Sequence, residues 1–215
     1  MPRPAFISVD GLDGTGKSTQ ARLLADWLRG QKVPVVPCAD PGGTDIGQQL
    51  RQLVLFGREH RIAITTEAFL FMASRAQLVD EVIRPALDRG EVVVSDRFLL
   101  ANVVYQGHAG GMDPTDLWAV GRVATGGLEP DLTLVFDADL EVASARRGRE
   151  TDRMEERGRE YHARVQTGFR YEAGMRPEKY RIIDATPDAE AVQRAVRREV
   201  VRLLTEFGWT VSTEG

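Results

Sequence analysis

Apolar positions fall into two rhythms along this chain. Short β-branched or continuous apolar runs predict strands, and longer stretches with a period near 3.6 predict helices. The runs Ala5–Val9, Val33–Cys38, Val92–Val94, Leu132–Phe136 and Tyr180–Ile183 read as five strands. Between them, Thr19–Leu24 has helix-forming composition, and a short helix is expected through Leu50, Leu53 and Val54. Ala68, Phe71, Met72, Leu78, Val79, Val82, Ile83 and Leu87 keep helical spacing and predict one long helix from about Thr65 to Asp88. Arg75 falls on that same stripe, where a solvated charge does not belong. A further helix is expected through Val142 and Ala145, and a last amphipathic one through Val192, Val196, Val200, Leu203 and Leu204. Arg29-Gly30-Gln31 and Gly90 read as helix stops. Asp40–Thr44 reads as a turn, Tyr105–Gly111 as a flexible link between short helices, and the residues after Phe207 as a loosely ordered tail. Strands alternating with helices predict a parallel sheet covered on both faces.

The stretch Gly11-Leu12-Asp13-Gly14-Thr15-Gly16-Lys17-Ser18 changes this picture from architecture to chemistry. It fits the phosphate-binding pattern G-x-x-x-x-G-K-[ST], follows a predicted strand and leads into a helix predicted to begin near Lys17, the context that gives the motif meaning. Glycines let consecutive N–H groups turn toward phosphate oxygens, and the helix start adds its dipole and unpaired amides. Lys17 is expected to reach the β- and γ-phosphates, and the Ser18 hydroxyl to ligate Mg²⁺.

Composition narrows the partners. With 215 residues the chain suits one domain spanning 1–215, and 42% hydrophobic with 28% charged residues is an ordinary folded balance. A net charge of −4 argues against general nucleic-acid binding, while leaving local arginine clusters free to hold small anions. No apolar run approaches the ~18 residues that cross a bilayer, and the N-terminus enters a strand with no leader-like pattern. The single cysteine, Cys38, reads as a small buried apolar residue, and His60, His108 and His162 as surface or loop residues without metal spacing. A cytoplasmic location is expected.

A phosphate loop alone does not separate a kinase from a switch or a motor. No Asn-Lys-x-Asp guanine-reading sequence occurs. Asp13 sits inside the loop, where it is unhelpful to a triphosphate but suited to a hydroxyl of a second substrate. Strands ending at Asp10, Asp96 and Asp137 aim carboxylates, with Arg97, at the carboxyl edge where open parallel sheets bind ligands.

From near residue 5 to about residue 205 the chain resembles the bacterial thymidylate kinases. The matching stretches are Asp10–Ser18, Pro41-Gly42-Gly43-Thr44, Phe71–Arg75, Asp96-Arg97-Phe98, Tyr105-Gln106-Gly107, Pro130–Thr133 and Asp152–Glu155. The resemblance implies a P-loop NTPase-type three-layer α/β sandwich on a five-stranded parallel sheet, with a mobile lid at about 146–156. It implies transfer of a phosphoryl group from Mg-ATP to dTMP by a homodimeric enzyme. Gly11, Asp13, Gly14, Thr15, Gly16, Lys17, Ser18 and Thr19 would then hold ATP, with Arg146 against the adenine. Phe71 would stack on thymine, or serve simply as core, and Arg75 would bond the base edge, or form a plain salt bridge. Asn102 would read the imide, and the preceding residue is Ala101 where the family often has a hydroxyl. Tyr105, with Gln106 beside it, would pack at the sugar, and Asp13 would hold its 3′-hydroxyl. Arg97 and Arg51 would grip the acceptor phosphate, with Asp10 and Asp96 orienting Arg97 or binding Mg²⁺ through water. Because the phosphate loop lacks an arginine, the resemblance implies that the lid supplies it, with Arg149 and Arg153 on the transferring group. Two rivals stay open at this level: another nucleoside monophosphate kinase, and a P-loop regulatory ATPase.

Overall fold

The computed structural model describes residues 2–57, 59, 61–146, 153–154 and 157–213. Five strands, β1 (Ala5–Gly11), β2 (Val35–Ala39), β3 (Val92–Asp96), β4 (Leu132–Asp137) and β5 (Tyr180–Asp184), form one parallel sheet in the order β2-β3-β1-β4-β5. The period of two splits β1 between the faces. Ala5, Ile7 and Val9 pack with Leu24, Leu28, Val196, Val200 and Leu204, from helices α1 (Lys17–Gly30) and α9 (Ala189–Glu206). Phe6 faces the opposite layer, beside Val93, Met72, Leu78 and Leu117. That layer contains α2 (Asp45–Arg51), α3 (Ile64–Leu78), α4 (Arg84–Asp88), α5 (Leu99–Asn102) and α6 (Pro114–Thr125). Two further helices, α7 (Leu140–Arg146) and α8 (Arg159–Met175), cover the β4–β5 side. The three-layer α/β sandwich on a five-stranded parallel sheet is as expected.

Register decides where the site forms. Val9 pairs with Asp96 and Ala39 with Asp96, while Gly11 pairs with Phe136, so the strands β1 to β4 end on nearly one line. The turns after β1, β2 and β3 therefore open into the same crevice.

Several elements depart from expectation for identifiable reasons. Strand β2 begins at Val35 because Lys32 turns left-handed (φ 60°) and the Val33 N–H closes α1 on the Leu28 carbonyl at 3.0 Å. As an edge strand it leaves Cys38 only partly buried. The long helix does run from Ile64 to Asp88, but it widens into a π turn over Val79–Ile83. Pro85 lacks the N–H for the carbonyl of Glu81 and its ring crowds that carbonyl, which accounts for the widening. The helix through Leu50 likewise ends at Arg51 and continues as a π turn, Gln52–Phe56, that buries Val54 and Leu55.

The stretch from Tyr105 to Gly107 is not a flexible link. It lies in a buried π turn, Val103–His108, continuous with α5. Gly107 is there for close approach: a Cβ would stand 3.1 Å from Leu117 Cδ1. Helix α8 had no sequence signal because its buried face mixes Tyr161, His162, Gly168 and Glu172 with only a few apolar residues. His162 is thereby buried, at 3% exposure, and not a surface residue; His108 is half-buried and bonds Glu172 at 2.7 Å. His60 lies outside the described residues. The tail past Phe207 is pinned, since the Trp209 indole N–H donates to the Arg3 carbonyl at 2.7 Å and Val211 packs on the core. Among the described residues, no helix is long and apolar enough to cross a membrane.

Candidate active site

At the carboxyl edge of the sheet lies a cavity of about 460 Å³ with two chemically distinct ends. One end is the phosphate loop. Gly14 and Gly16 take positive φ of 84° and 83°, and both line the cavity with Lys17, Ser18 and Thr19. Gly11 and Thr15 support the loop from behind. A Cβ on Gly11 would collide with the Phe136 carbonyl, and the buried Thr15 hydroxyl donates to the Leu12 carbonyl at 2.7 Å. The Lys17 ammonium donates to that same carbonyl at 2.7 Å and lies 3.7 Å from Asp13. Burial and the Arg97 charge push Lys17 down to about 8, against the pull of Asp13, Asp96 and Asp10. The nearby carboxylates only partly offset the cost of holding this ammonium out of water.

Opposite Lys17 is Arg97, whose backbone sits in the left-handed region at φ 69°. That conformation costs on the order of 1 kcal/mol for a side chain of this kind. It is held by the Arg97 N–H on the Val9 carbonyl at 2.9 Å and by the Ser95 hydroxyl on the Arg97 carbonyl at 2.6 Å. The result turns the guanidinium back over β1, where it pairs with Asp13 and donates to Gly11. Tyr105 donates its hydroxyl to the other Asp13 oxygen at 2.6 Å. Burial works to raise Asp13, but Arg97, Lys17 and Tyr105 outweigh it and hold the carboxyl near 2. Asp10 has the opposite balance. Wholly buried, with one oxygen 3.4 Å from the Phe98 N–H and the other without a partner, it is pushed up to about 6 despite Arg97. It interacts electrostatically with Arg97 and is not among the residues that line the cavity.

The other end is a polar network sealed from water. Arg75, 2% exposed, donates to Asp40 Oδ2 at 2.6 Å and to Asn102 Oδ1 at 3.0 Å. Burial raises the Asp40 carboxyl and Arg75 opposes the rise. Arg75 is thus both a salt-bridge partner and a cavity-lining donor, and the stripe position that looked wrong for a solvated charge holds a desolvated one. Phe71, Arg51, Asn102, Tyr105, Gln106 and Asp96 also line the cavity. Phe71 packs at the same time against the Leu55–Tyr105 cluster, in keeping with its core reading. Arg51 donates to the Pro41 carbonyl at 3.1 Å.

The sequence reading missed Asp40, Leu55 and Met154 as cavity residues. Asp40 had a usable signal, a carboxylate directly after a strand as at Asp96 and Asp137; the two apolar residues had none. Arg146 lines the cavity and donates to the carbonyls of Ala185 and Thr186 at 2.5 and 2.7 Å. Arg153 does not line it; its guanidinium bonds the Gly57 carbonyl and its N–H the Leu55 carbonyl at 3.1 Å. Arg149 and most of the 146–156 stretch lie outside the described residues.

The sequence model for thymidylate kinase matches residues 9–196, a span that carries both ends of the cavity. The chain belongs to the thymidylate kinase family. Family members phosphorylate dTMP to dTDP with ATP. The chain is 46% identical over 200 residues to a thymidylate kinase from Symbiobacterium thermophilum, covering 93% of this chain and 94% of that protein. It is 44% identical to one from Rhodopirellula baltica, covering 89% and 78%, and 41% identical to one from an Exiguobacterium strain, covering 94% and 97%. In this thymidylate kinase the cavity has the phosphate loop at one end and the buried Arg75–Asn102 pair at the other.

Proposed function

We infer that the protein transfers the γ-phosphoryl group of ATP to dTMP, giving ADP and dTDP, with the site residues in the roles below. The observation that carries this reading is the two-ended cavity: Lys17 and Ser18 at one end, Arg75 and Asn102 at the other, Arg97 between them. No general base is needed, because the acceptor is a phosphate monoester with a second pKa of about 6 and is already ionised at neutral pH. Catalysis then consists of in-line alignment and neutralisation of charge. Lys17 holds the donor phosphates and Arg97 the acceptor phosphate, with Arg51 beside it. Asp13, which engages Arg97 and Tyr105, exchanges part of that pairing for the sugar 3′-hydroxyl. Arg75 donates to the thymine O4 edge and Asn102 accepts from the imide N–H, while Phe71 lies on the ring.

Mg²⁺ fits the donors offered. Ser18 and Asp96 are hard oxygen ligands on the cavity wall, and among the described residues no group of three or more His, Cys, Asp or Glu could hold an ion by itself. Such a sparse set suits an ion that keeps its waters and arrives on a nucleotide. When bound it supplies further charge neutralisation at the phosphates. In this reading Arg146, which donates to the carbonyls of Ala185 and Thr186, contacts the adenine, and Arg149 and Arg153 are the lid cations. A homodimer is supported by Ile46, Phe69 and Val123, large apolar side chains exposed on α2, α3 and α6. A cytoplasmic setting suits a chain whose one cysteine is free.

The test is ADP release with Mg-ATP against dTMP, dUMP, UMP, dCMP, dGMP and AMP. Strong preference for dTMP is expected. Preference for another monophosphate would keep the kinase and overturn the base-reading residues, and release indifferent to any acceptor would overturn both. Sedimentation of the protein at micromolar concentration tests the dimer, and a monomer would reject it.

A further inference from the structure

Behind the nucleobase end runs a continuous relay of buried side chains that belongs to no phosphate contact. Arg75 donates to Asn102 Oδ1 at 3.0 Å, and Asn102 Nδ2 donates to Gln106 Oε1 at 2.7 Å. Gln106 Nε2 donates to Glu67 Oε1 at 2.8 Å, and Arg157 donates to Glu67 Oε2 at 2.7 Å. Glu67, Asn102 and Gln106 are each 1–2% exposed, so a lost partner in the relay is costly. Arg157 is itself tied down, donating to the Tyr161 hydroxyl at 2.7 Å, which in turn donates to the Tyr105 carbonyl at 2.7 Å.

The relay has a direction. A guanidinium has only donors, so Arg75 requires the oxygen of Asn102. A carboxylate engaged by an arginine offers only acceptors, so Glu67 requires the nitrogen of Gln106. Between these ends two amides can be arranged in only one way without a donor facing a donor. We propose that Glu67 is a positioning residue for nucleobase selection: by taking the Gln106 amide nitrogen it locks Asn102 with its oxygen toward Arg75. This rests on the reading of Arg75 and Asn102 as the base-facing pair. The locked edge presents a donor from Arg75 beside an acceptor from Asn102. That order matches the O4 acceptor and N3–H donor of thymine and opposes the N4 donor and N3 acceptor of cytosine. Glu67 touches no substrate in this scheme and acts through Gln106 and Asn102.

The experiment measures dTMP and dCMP binding by calorimetry without ATP, together with kcat/KM for each, in wild type, Glu67→Gln and the swap Glu67→Gln/Gln106→Glu. Glu67→Gln removes the acceptor-only end, frees Gln106 to turn, and is expected to lower the dTMP-over-dCMP ratio about tenfold, mainly through dTMP affinity. In the swap, the amide placed at position 67 can donate to the carboxylate placed at position 106. That carboxylate can still accept from Asn102, so selectivity should return to near the wild-type ratio. Glu67→Gln with unchanged selectivity overturns the proposal, as does a loss that the swap fails to restore, since that is the mark of a merely structural role. Should Glu67→Gln not fold, the swap alone decides: near-wild-type selectivity supports the relay and its loss overturns it. Wild type that binds dTMP and dCMP equally would instead show the base-pair reading itself to be wrong.

Discussion

The phosphate-loop end of the cavity comes from one run of chain, residues 11–19, whereas the opposite end draws Asp40, Arg75, Asn102 and Gln106, with Glu67 behind Gln106, from separate segments. At the first end the backbone does the binding: positive-φ glycines and a helix start point N–H groups inward, and a single lysine completes the charge. At the second end side chains bind through one another, each amide oriented by its neighbour. A backbone site tolerates change in whatever packs around it, but a relay fails wherever one member is removed. In the proposed scheme the local loop supplies phosphate affinity and the distributed network supplies choice of base.

Four measurements would break or sharpen this contrast. The largest effect is expected from Lys17→Ala, which removes the one side-chain cation of the loop. Turnover should fall on the order of 10³-fold, about 4 kcal/mol of transition-state stabilisation, with little change in the thermal unfolding midpoint. Steady-state kinetics that leave turnover within tenfold of wild type would refute the role of Lys17.

Arg75→Met should do the reverse, acting first on stability. It leaves the buried Asp40 carboxylate, already missing a partner on Oδ1, without its cation. A loss of about 3–5 kcal/mol is expected, read from urea unfolding at constant m-value. Adding Asp40→Asn in the same background should restore a large part of it; no restoration would mean that the damage is packing and not charge.

The third measurement is pH dependence at the meeting point of the two ends. Asp13 has its pKa lowered to about 2 from 3.8, so its contribution is present above pH 4 and is lost as pH falls toward 2. On the order of 2.5 kcal/mol separates wild type from a variant without this carboxylate at pH 7. The stability difference between wild type and Asp13→Asn should therefore shrink between pH 4 and pH 2. A difference that is flat over that range would show that Arg97 does not hold Asp13 ionised. Smallest is Tyr105→Phe, which deletes the 2.6 Å bond to Asp13. About 1 kcal/mol of stability should go, a fall of roughly 2–4 °C in unfolding temperature by calorimetry. A much larger fall would place Tyr105 in the structural core of the relay instead of beside it.

Legibility in the sequence follows the same division. The strands, the α1 and α9 helices and the phosphate loop depend on neighbours a few residues apart, so periodicity and motif spacing revealed them. The π turns at Val79–Ile83 and Val103–His108 did not show, because a widened turn answers to Pro85 or to packing on Leu117 and not to any pattern of its own. Helix α8 stayed hidden because its buried face accepts His162 and Glu172, which only their partners across the fold make tolerable there. Arg75 was visible as an anomaly on an apolar stripe, yet its partners lie 35 and 27 residues away.

By itself, then, the sequence determined the alternation of strands and helices, a parallel sheet covered on both faces, and a loop able to hold phosphate, since each follows from local sterics and the burial of apolar faces. Only the tertiary structure decided that Asp10 is not among the residues that line the cavity, that Arg75 is neutralised by Asp40, and that Glu67 reaches Asn102 through Gln106. Those outcomes depend on desolvation and hydrogen-bond partnership between distant residues, and these exist only once the chain has closed around them.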